Sequence, residues 1–75
     1  MLNLREFDCG CWDTPHDHNR ITVRERQDGL YDVVHVRYVR TRDGLVKSES
    51  PCGIFKTLDQ AREAGWALWK ELQSS

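Results

Sequence analysis

The middle of the chain alternates apolar and polar side chains in three runs, at residues 20–27, 30–41 and 45–49. The runs are rich in β-branched residues and glycine-containing turns separate them, which predicts paired antiparallel strands. From Leu58 to about Leu72 the apolar side chains recur instead at the helical interval. The pattern therefore predicts an α+β fold, in which a three-stranded antiparallel sheet packs on one C-terminal α-helix.

The first predicted turn sets the register of the sheet. A two-residue connection at Asp28-Gly29 favours a type I′ turn, whose twist matches that of paired strands. This turn pairs Val23 with Val34 and makes their face aliphatic, while the opposite face becomes rich in arginine. A slip by one residue would turn a strand over and mix the two classes of side chain.

The second predicted turn, at residues 42–44, favours a three-residue loop with Gly44 in the left-handed backbone conformation. This loop turns Val46 toward the core and leaves Lys47 on the opposite face, which we call the arginine side. The arginine side is a candidate binding surface, because its cations alternate with aromatic and aliphatic side chains. Its predicted members are Arg20, Arg24, Arg26, Tyr31, Val33, His35, Arg37, Val39, Leu45, Lys47 and Glu49.

The predicted helix has a natural start, because Thr57 is an N-cap candidate and Gln60 occupies the capping-box position. Gly65 costs roughly 1 kcal/mol of helix propensity, so we expect it to let the helix approach a bulky sheet residue such as Tyr38. Trp66 lies about a quarter turn off the apolar stripe, where it either covers the edge of the core or contacts a partner. The stripe consists of Leu58, Ala61, Gly65, Leu68, Trp69 and Leu72, and the sheet residues expected beneath it are Ile21, Val23, Val34, Val36 and Tyr38.

Length and charge narrow the classes of function. Seventy-five residues form one domain near the lower size limit for a single core, and the formal net charge of −1 gives no overall attraction to nucleic acid or membrane. Residues 1–19 hold one basic and four acidic residues and predict an irregular arm with a short strand at 2–7, followed by a β-β-β-α domain at 20–75. No apolar run is long enough to cross a bilayer. The start of the chain lacks the features of a signal peptide, and three cysteines are an odd number, so we expect a cytoplasmic location without disulfides.

The predicted arm contains four side chains of the types that bind zinc. Cys9, Cys11, His16 and His18 form a Cys-x-Cys-x4-His-x-His cluster, and a structural zinc site uses four such ligands in a tetrahedron. The spacing within each pair is tighter than usual. The alternative is that the cysteines are small apolar side chains at the edge of the core. We do not expect an enzyme, because a cysteine nucleophile needs a site that excludes water and this arm is polar.

The junction between the sheet and the helix carries a resemblance to known families. Phe55, Thr57, Ala61 and Ala64 match a pattern of phenylalanine, threonine and an alanine-rich helix start. With three predicted strands before it, about the last 55 residues resemble the DNA-binding domain of plant ethylene-response factors. They are also similar to the arm-site-binding domain of phage and transposon tyrosine integrases. The resemblance implies a sheet that enters the major groove of DNA while the helix braces its back. The contact residues that it implies are Arg20, Arg24, Arg26, Arg37 and Lys47.

Several functions remain open. We expect a small non-enzymatic protein-interaction module of the adaptor or inhibitor type, such as a phage or mobile element would carry, because the near-neutral charge favours it over a nucleic-acid-binding domain. Either partner would use the arginine side, and a protein partner would also have access to Trp66. A small structural zinc domain is the third alternative. If the arginine side binds no partner, the acidic arm would pair with its arginines inside the molecule. The small core is also compatible with a homodimer.

Overall fold

The computed structural model describes residues 4–74. Four antiparallel strands in sequence order form one sheet, and a single helix packs across one of its faces. The α+β class is confirmed, but the prediction of three strands is wrong, because residues 4–74 form four. Residues 1–3 of the predicted arm and Ser75 lie outside the described residues. The elements are β1 (Glu6–Asp13), β2 (Asp17–Glu25), β3 (Tyr31–Thr41), β4 (Gly44–Phe55) and α1 (Leu58–Gln73).

Strand β1 comes from residues that were predicted to be irregular. Phe7 and Trp12 pack against the core, but a bulge at Cys9 shifts the pairing with β2 between Asp8 and Gly10. The core-facing side chains of β1 therefore do not keep a period of two, and this irregularity hides the strand in the sequence. The prediction of an irregular arm is wrong for β1 and for the first residues of β2.

The turn between β2 and β3 has three residues rather than two. The Arg26 N–H donates to the Leu30 carbonyl at 2.8 Å, so residues 27–29 form the loop. Gly29 has a positive φ of 84°, whereas a type I′ turn would require a positive φ at Asp28 as well. Asp28 instead accepts a hydrogen bond from the Leu30 N–H at 3.1 Å. The predicted register is therefore wrong by one residue.

This difference of one residue turns β3 over relative to β2. Val23 pairs with Val33 and not with Val34. Because paired residues point to the same side of a sheet, Val33 faces α1. Val34, Val36 and Tyr38, which were predicted to lie beneath the helix, face away from it.

The loop of the second hairpin is one residue shorter than predicted, whereas that of the first is one residue longer. Thr41 pairs with Gly44, so the loop has two residues instead of three. The two differences cancel for β4, and Lys47 lies on the same face as Arg24, as the sequence predicts. Strand β4 also continues through the predicted turn at Pro51, where a proline is tolerated because β4 is an edge strand.

The helix forms as the sequence predicts. The Thr57 hydroxyl accepts a hydrogen bond from the Gln60 N–H at 3.2 Å and caps its first turn. The predicted apolar stripe faces the sheet, with Ala61 and Gly65 buried. The buried core is Ile21, Val23, Val33 and Ala61, and the partly buried side chains around it are Phe7, Cys9, Trp12, Tyr31, Phe55, Leu58, Ala64, Leu68, Trp69 and Leu72.

Two glycines allow α1 to approach β1 closely. A Cβ atom at Gly65 would lie 2.6 Å from the Cys9 Sγ, and a Cβ atom at Gly10 would lie 2.7 Å from the Trp69 ring. Atoms in a close-packed interior do not approach so near, so a side chain at either position would force its neighbour to move. The close approach predicted at Gly65 is confirmed, but its neighbour is Cys9 rather than Tyr38.

We expect Gly10→Ala to lower the free energy of unfolding by about 1–3 kcal/mol, because the added methyl group must displace the Trp69 ring. Chemical denaturation measures the loss. Trp69→Leu removes most of the ring, so the double variant should lose less than the sum of the two single variants. Additive losses would contradict the packing of Gly10 against Trp69.

Candidate functional site

The face of the sheet that α1 leaves uncovered is the candidate binding surface, and we call it the open face. Its side chains form rows across the strands, because directly paired residues point the same way. Its residues are Glu6, Asp8, Cys11 and Asp13 of β1, His18, Arg20, Thr22 and Arg24 of β2, Asp32, Val34, Val36, Tyr38 and Arg40 of β3, and Leu45, Lys47, Glu49, Pro51 and Ile54 of β4.

An arginine bridges one end of the open face. The Arg24 Nε lies 2.8 Å from the Glu6 Oε1, and its Nη2 contacts the Glu49 Oε2. Because Arg24 belongs to β2 and Glu49 to β4, their contact crosses β3 above Val34, which is only 7% exposed. The stem of an arginine covers apolar surface while its charged head stays in water. Arg24 therefore helps to cover an apolar residue that no helix covers.

Three of the four acidic residues of the predicted arm contact basic side chains inside the molecule, and the fourth, Asp8, accepts a hydrogen bond from the Thr22 hydroxyl. Besides the contact of Glu6, the Asp17 Oδ2 lies 2.6 Å from the Arg37 Nε, and the Asp13 Oδ1 lies 2.5 Å from the His18 Nδ1. Strand pairing brings these groups together, rather than an arm that folds across the sheet. These contacts remove part of the positive surface that the sequence suggests.

Three cations at the other end of the open face contact no carboxylate of residues 4–74. Arg20, Arg40 and Lys47 surround Tyr38, which pairs directly with Lys47 on one side. On its other side the ring of Tyr38 lies 6.1 Å from the ring of His18. Arg40 and Lys47 are exposed, whereas Arg20 and Tyr38 are half-buried. We call Arg20, Tyr38, Arg40 and Lys47 the basic patch.

The structure does not bring the predicted arginine side together as one surface. Arg26 lies in the turn after β2, where its guanidinium contacts Asp28 at 3.1 Å and Asp32 at 3.0 Å. Trp66 is 50% exposed on the outer surface of α1, with the guanidinium of Arg62 6.0 Å from its ring. Among the other predicted binding residues, Arg20, Arg24 and Lys47 lie on the open face, and Tyr31, His35 and Arg37 lie on the helix side.

A polar cluster lies on the helix side of the sheet near the end of α1. Asp17 accepts hydrogen bonds from the Thr14 hydroxyl at 2.5 Å and from the Asn19 Nδ2 at 2.8 Å. Arg37 Nε donates to the other carboxylate oxygen. Because Asn19 uses its amide nitrogen for Asp17, its Oδ1 accepts from the His35 Nε2 at 2.9 Å. The cluster thus fixes the tautomer of His35.

The cluster forms the floor of a cleft of about 320 Å³ that Leu72 and Gln73 of α1 also line. The ring of His35 stacks on Trp12, with centroids 5.4 Å apart and planes inclined by 20°. Across the described chain, every buried side-chain nitrogen and oxygen has a hydrogen-bond partner. The buried polar groups of the cluster are therefore used within the fold, where they tie β2 to β3.

Ionisation of the cluster depends on its hydrogen bonds and burial. The Thr14 hydroxyl, together with Asn19 and Arg37, lowers the pKa of Asp17 to about 2. Burial, with the nearby charge of Arg37, lowers the pKa of His35 from its ordinary value. Both groups therefore resist protonation more in the folded chain than in the unfolded chain, and the cluster loses stability as the pH falls.

The four predicted zinc ligands do not meet. Cys9 packs beneath α1 beside Gly65, where burial raises the pKa of its thiol. Cys11 and His18 lie on the open face, and His16 lies in the turn after β1. Between residues 4 and 74 no three His, Cys, Asp or Glu side chains form a group that could hold a metal ion.

Sequence reasoning missed Tyr38 and Arg40 as open-face residues. The sequence nevertheless contained an indication of the correct turn. A type I′ turn needs a left-handed backbone at both Asp28 and Gly29, whereas a three-residue loop that ends in Gly29 needs it at that glycine alone. The polar cluster was missed as well. Thr14 and Asp17 flank Pro15 at a spacing typical of a hydrogen-bonded turn, which would have indicated it.

No protein-family model, curated protein or solved structure matches the chain. Within the part of the chain that the structure describes, no helix is both long and apolar enough to span a membrane.

We expect Arg24→Ala to lower the free energy of unfolding by about 1 kcal/mol, because it removes two partly exposed ion pairs and uncovers Val34. Arg24→Met keeps an apolar stem without the charge and should lose less. Thermal and chemical denaturation measure both variants. Equal losses would contradict the covering role of the stem.

We expect the free energy of unfolding to fall as the pH drops below about 6.5, because the unfolded chain then binds a proton that His35 resists in the folded chain. This stabilisation is complete above the ordinary pKa of histidine and is lost as the pH falls through the lower folded-state value. A second loss should follow between pH 3.8 and about 2 as Asp17 is protonated.

Denaturation of His35→Gln at several pH values checks the assignment. Glutamine keeps an N–H donor for Asn19 but does not titrate, so the loss near neutral pH should disappear. His16→Gln, in an exposed turn, is the matched control and should keep the wild-type profile. An unchanged profile in His35→Gln would show that another group causes the loss.

Proposed function

We propose that this chain is a small non-enzymatic interaction module that binds an acidic segment of a protein partner on the basic patch. The observation that carries the proposal is the arrangement of Arg20, Arg40 and Lys47 around Tyr38, without a carboxylate partner among residues 4–74. The sheet residues Arg24 and Arg37, in contrast, are paired with carboxylates. The patch therefore has free capacity to bind an anion.

The composition of the patch supports a protein partner. Arginine and tyrosine are enriched at the centres of protein interfaces. Leu45, which is 66% exposed, pairs directly with Arg40 and adds apolar surface beside it. Nucleic-acid affinity, in contrast, depends on many phosphate contacts, and the chain as a whole has a net charge of −1.

One observation favours a second candidate, which is binding of DNA. No residue between 39 and 52 is buried, so the tip of the β3–β4 hairpin is an exposed two-stranded ribbon. A two-stranded ribbon fits the major groove of B-DNA. This ribbon carries Arg40, Arg42 and Lys47, and Lys47 is also one of the contact residues that the resemblance to sheet-type DNA-binding domains implies.

Fluorescence anisotropy with a labelled ten-residue peptide that alternates glutamate and serine tests the first candidate. We expect saturable binding at low salt that Arg40→Glu weakens by about tenfold or more, because the substitution reverses a charge in the patch. Lys70→Glu makes the same charge change on α1, outside the patch, and is the matched control. It should stay within about twofold of the wild type.

A labelled DNA duplex in the same buffer separates the two candidates. If the duplex binds, loses affinity steeply with salt and is sensitive to Arg40→Glu, while the peptide does not bind, the DNA candidate replaces the first. If neither probe binds, or if Lys70→Glu is as harmful as Arg40→Glu, the patch is not a binding site.

A further inference from the structure

The outer edge of β4 is a long stretch of unpaired backbone. β4 has 12 residues and ends the sheet, and every residue from 44 to 52 is exposed. No other strand of residues 4–74 pairs with this edge. Such an edge offers N–H and C=O groups to an additional strand.

The opposite edge of the sheet is protected. β1 carries the bulge at Cys9, and the Trp69 Nε1 donates to the Cys11 carbonyl at 3.3 Å. Bulges and covered edges hinder the addition of a further strand. On β4 comparable features occur only at one end, where Pro51 is followed by a bulge, so residues 44–50 stay open.

The open-face side chains of β4 are complementary to those of the same strand reversed. In an antiparallel pair of two β4 strands centred on Ser48, Lys47 lies opposite Glu49. Leu45 then lies opposite Pro51, so apolar side chains also meet. Pairs centred on Lys47 or on Glu49 would instead place like charges opposite each other, which is unfavourable. Charge and apolar contact therefore favour the same register.

We infer that β4 pairs with β4 of a second copy of this chain, antiparallel and centred on Ser48. The two four-stranded sheets join into one sheet, with both open faces on the same side. Leu45 gains an apolar neighbour, and Glu49, which already contacts Arg24, gains Lys47 of the second copy. Because pairing along one edge buries less surface than a standard interface, the dimer depends on protein concentration.

The dimer does not rest on the proposed function. Edge pairing leaves Arg20, Tyr38 and Arg40 on the open face of each copy, and Lys47 borders the seam. Dimer formation is measured without any ligand, so a failure of peptide or DNA binding leaves the inference intact.

Sedimentation velocity between about 10 μM and about 1 mM protein tests the inference. The wild type should shift from monomer to dimer across this range. Lys47→Glu places two glutamates opposite each other and should remain monomeric. The double variant Lys47→Glu/Glu49→Lys restores opposite charges and should recover the dimer. Because Glu49 also contacts Arg24, circular dichroism confirms that each variant is folded.

Disulfide cross-linking tests the register. In a background where the exposed Cys11 and Cys52 are replaced by serine, Ser48→Cys should form a covalent dimer under mild oxidation, because residue 48 lies opposite itself. Ser50→Cys in the same background is the matched control. It lies opposite residue 46 and should cross-link much more slowly.

Three results would overturn the inference. The first is a chain that stays monomeric over the whole concentration range. The second is Lys47→Glu forming a dimer as tight as that of the wild type. The third is Ser50→Cys cross-linking as fast as Ser48→Cys, which would show that the strands meet in another register or by collision.

Discussion

The backbone of Gly29 decides which side chains the molecule presents on each face. Its φ of 84° allows residues 27–29 to form a three-residue turn, closed by a backbone hydrogen bond. Because side chains alternate along a strand, this turn commits every residue of β3 to one face. Val33 completes the core beneath α1, and His35 joins the polar cluster. Tyr38 lies instead on the open face, where it becomes the centre of the basic patch.

No helix covers the open face, and polar contacts take over part of that role. The contact of Arg24 with Glu49 crosses above Val34, and the Thr22 hydroxyl donates to Asp8 at 3.0 Å. The acidic residues that make the start of the chain resemble a solvated arm are thus used inside the sheet. The cations of the basic patch have no such partners in the described chain, and this explains how a nearly neutral protein presents a locally positive surface.

The sequence predicts the helix well because its start, its stripe and its close approach at Gly65 depend on local chemistry. It fails for β1, where the bulge at Cys9 breaks the alternation that would mark a strand. The predicted lengths of both turns are also wrong. A loop that is one residue longer or shorter leaves the alternation of apolar and polar residues within each strand unchanged and alters only which residues pair across strands. The two errors cancel between β2 and β4, so Arg20 and Lys47 were placed on one face correctly. Only the tertiary structure shows that β3 turns the opposite face toward α1 from the one predicted.

The register of β3 is tested most directly by nuclear Overhauser contacts between aromatic rings. We expect contacts between the rings of His35 and Trp12, whose centroids lie 5.4 Å apart, and between those of His18 and Tyr38, at 6.1 Å. Contacts between Tyr38 and the buried face of α1 would contradict this expectation, because they would place β3 in the other register and remove Tyr38 from the open face.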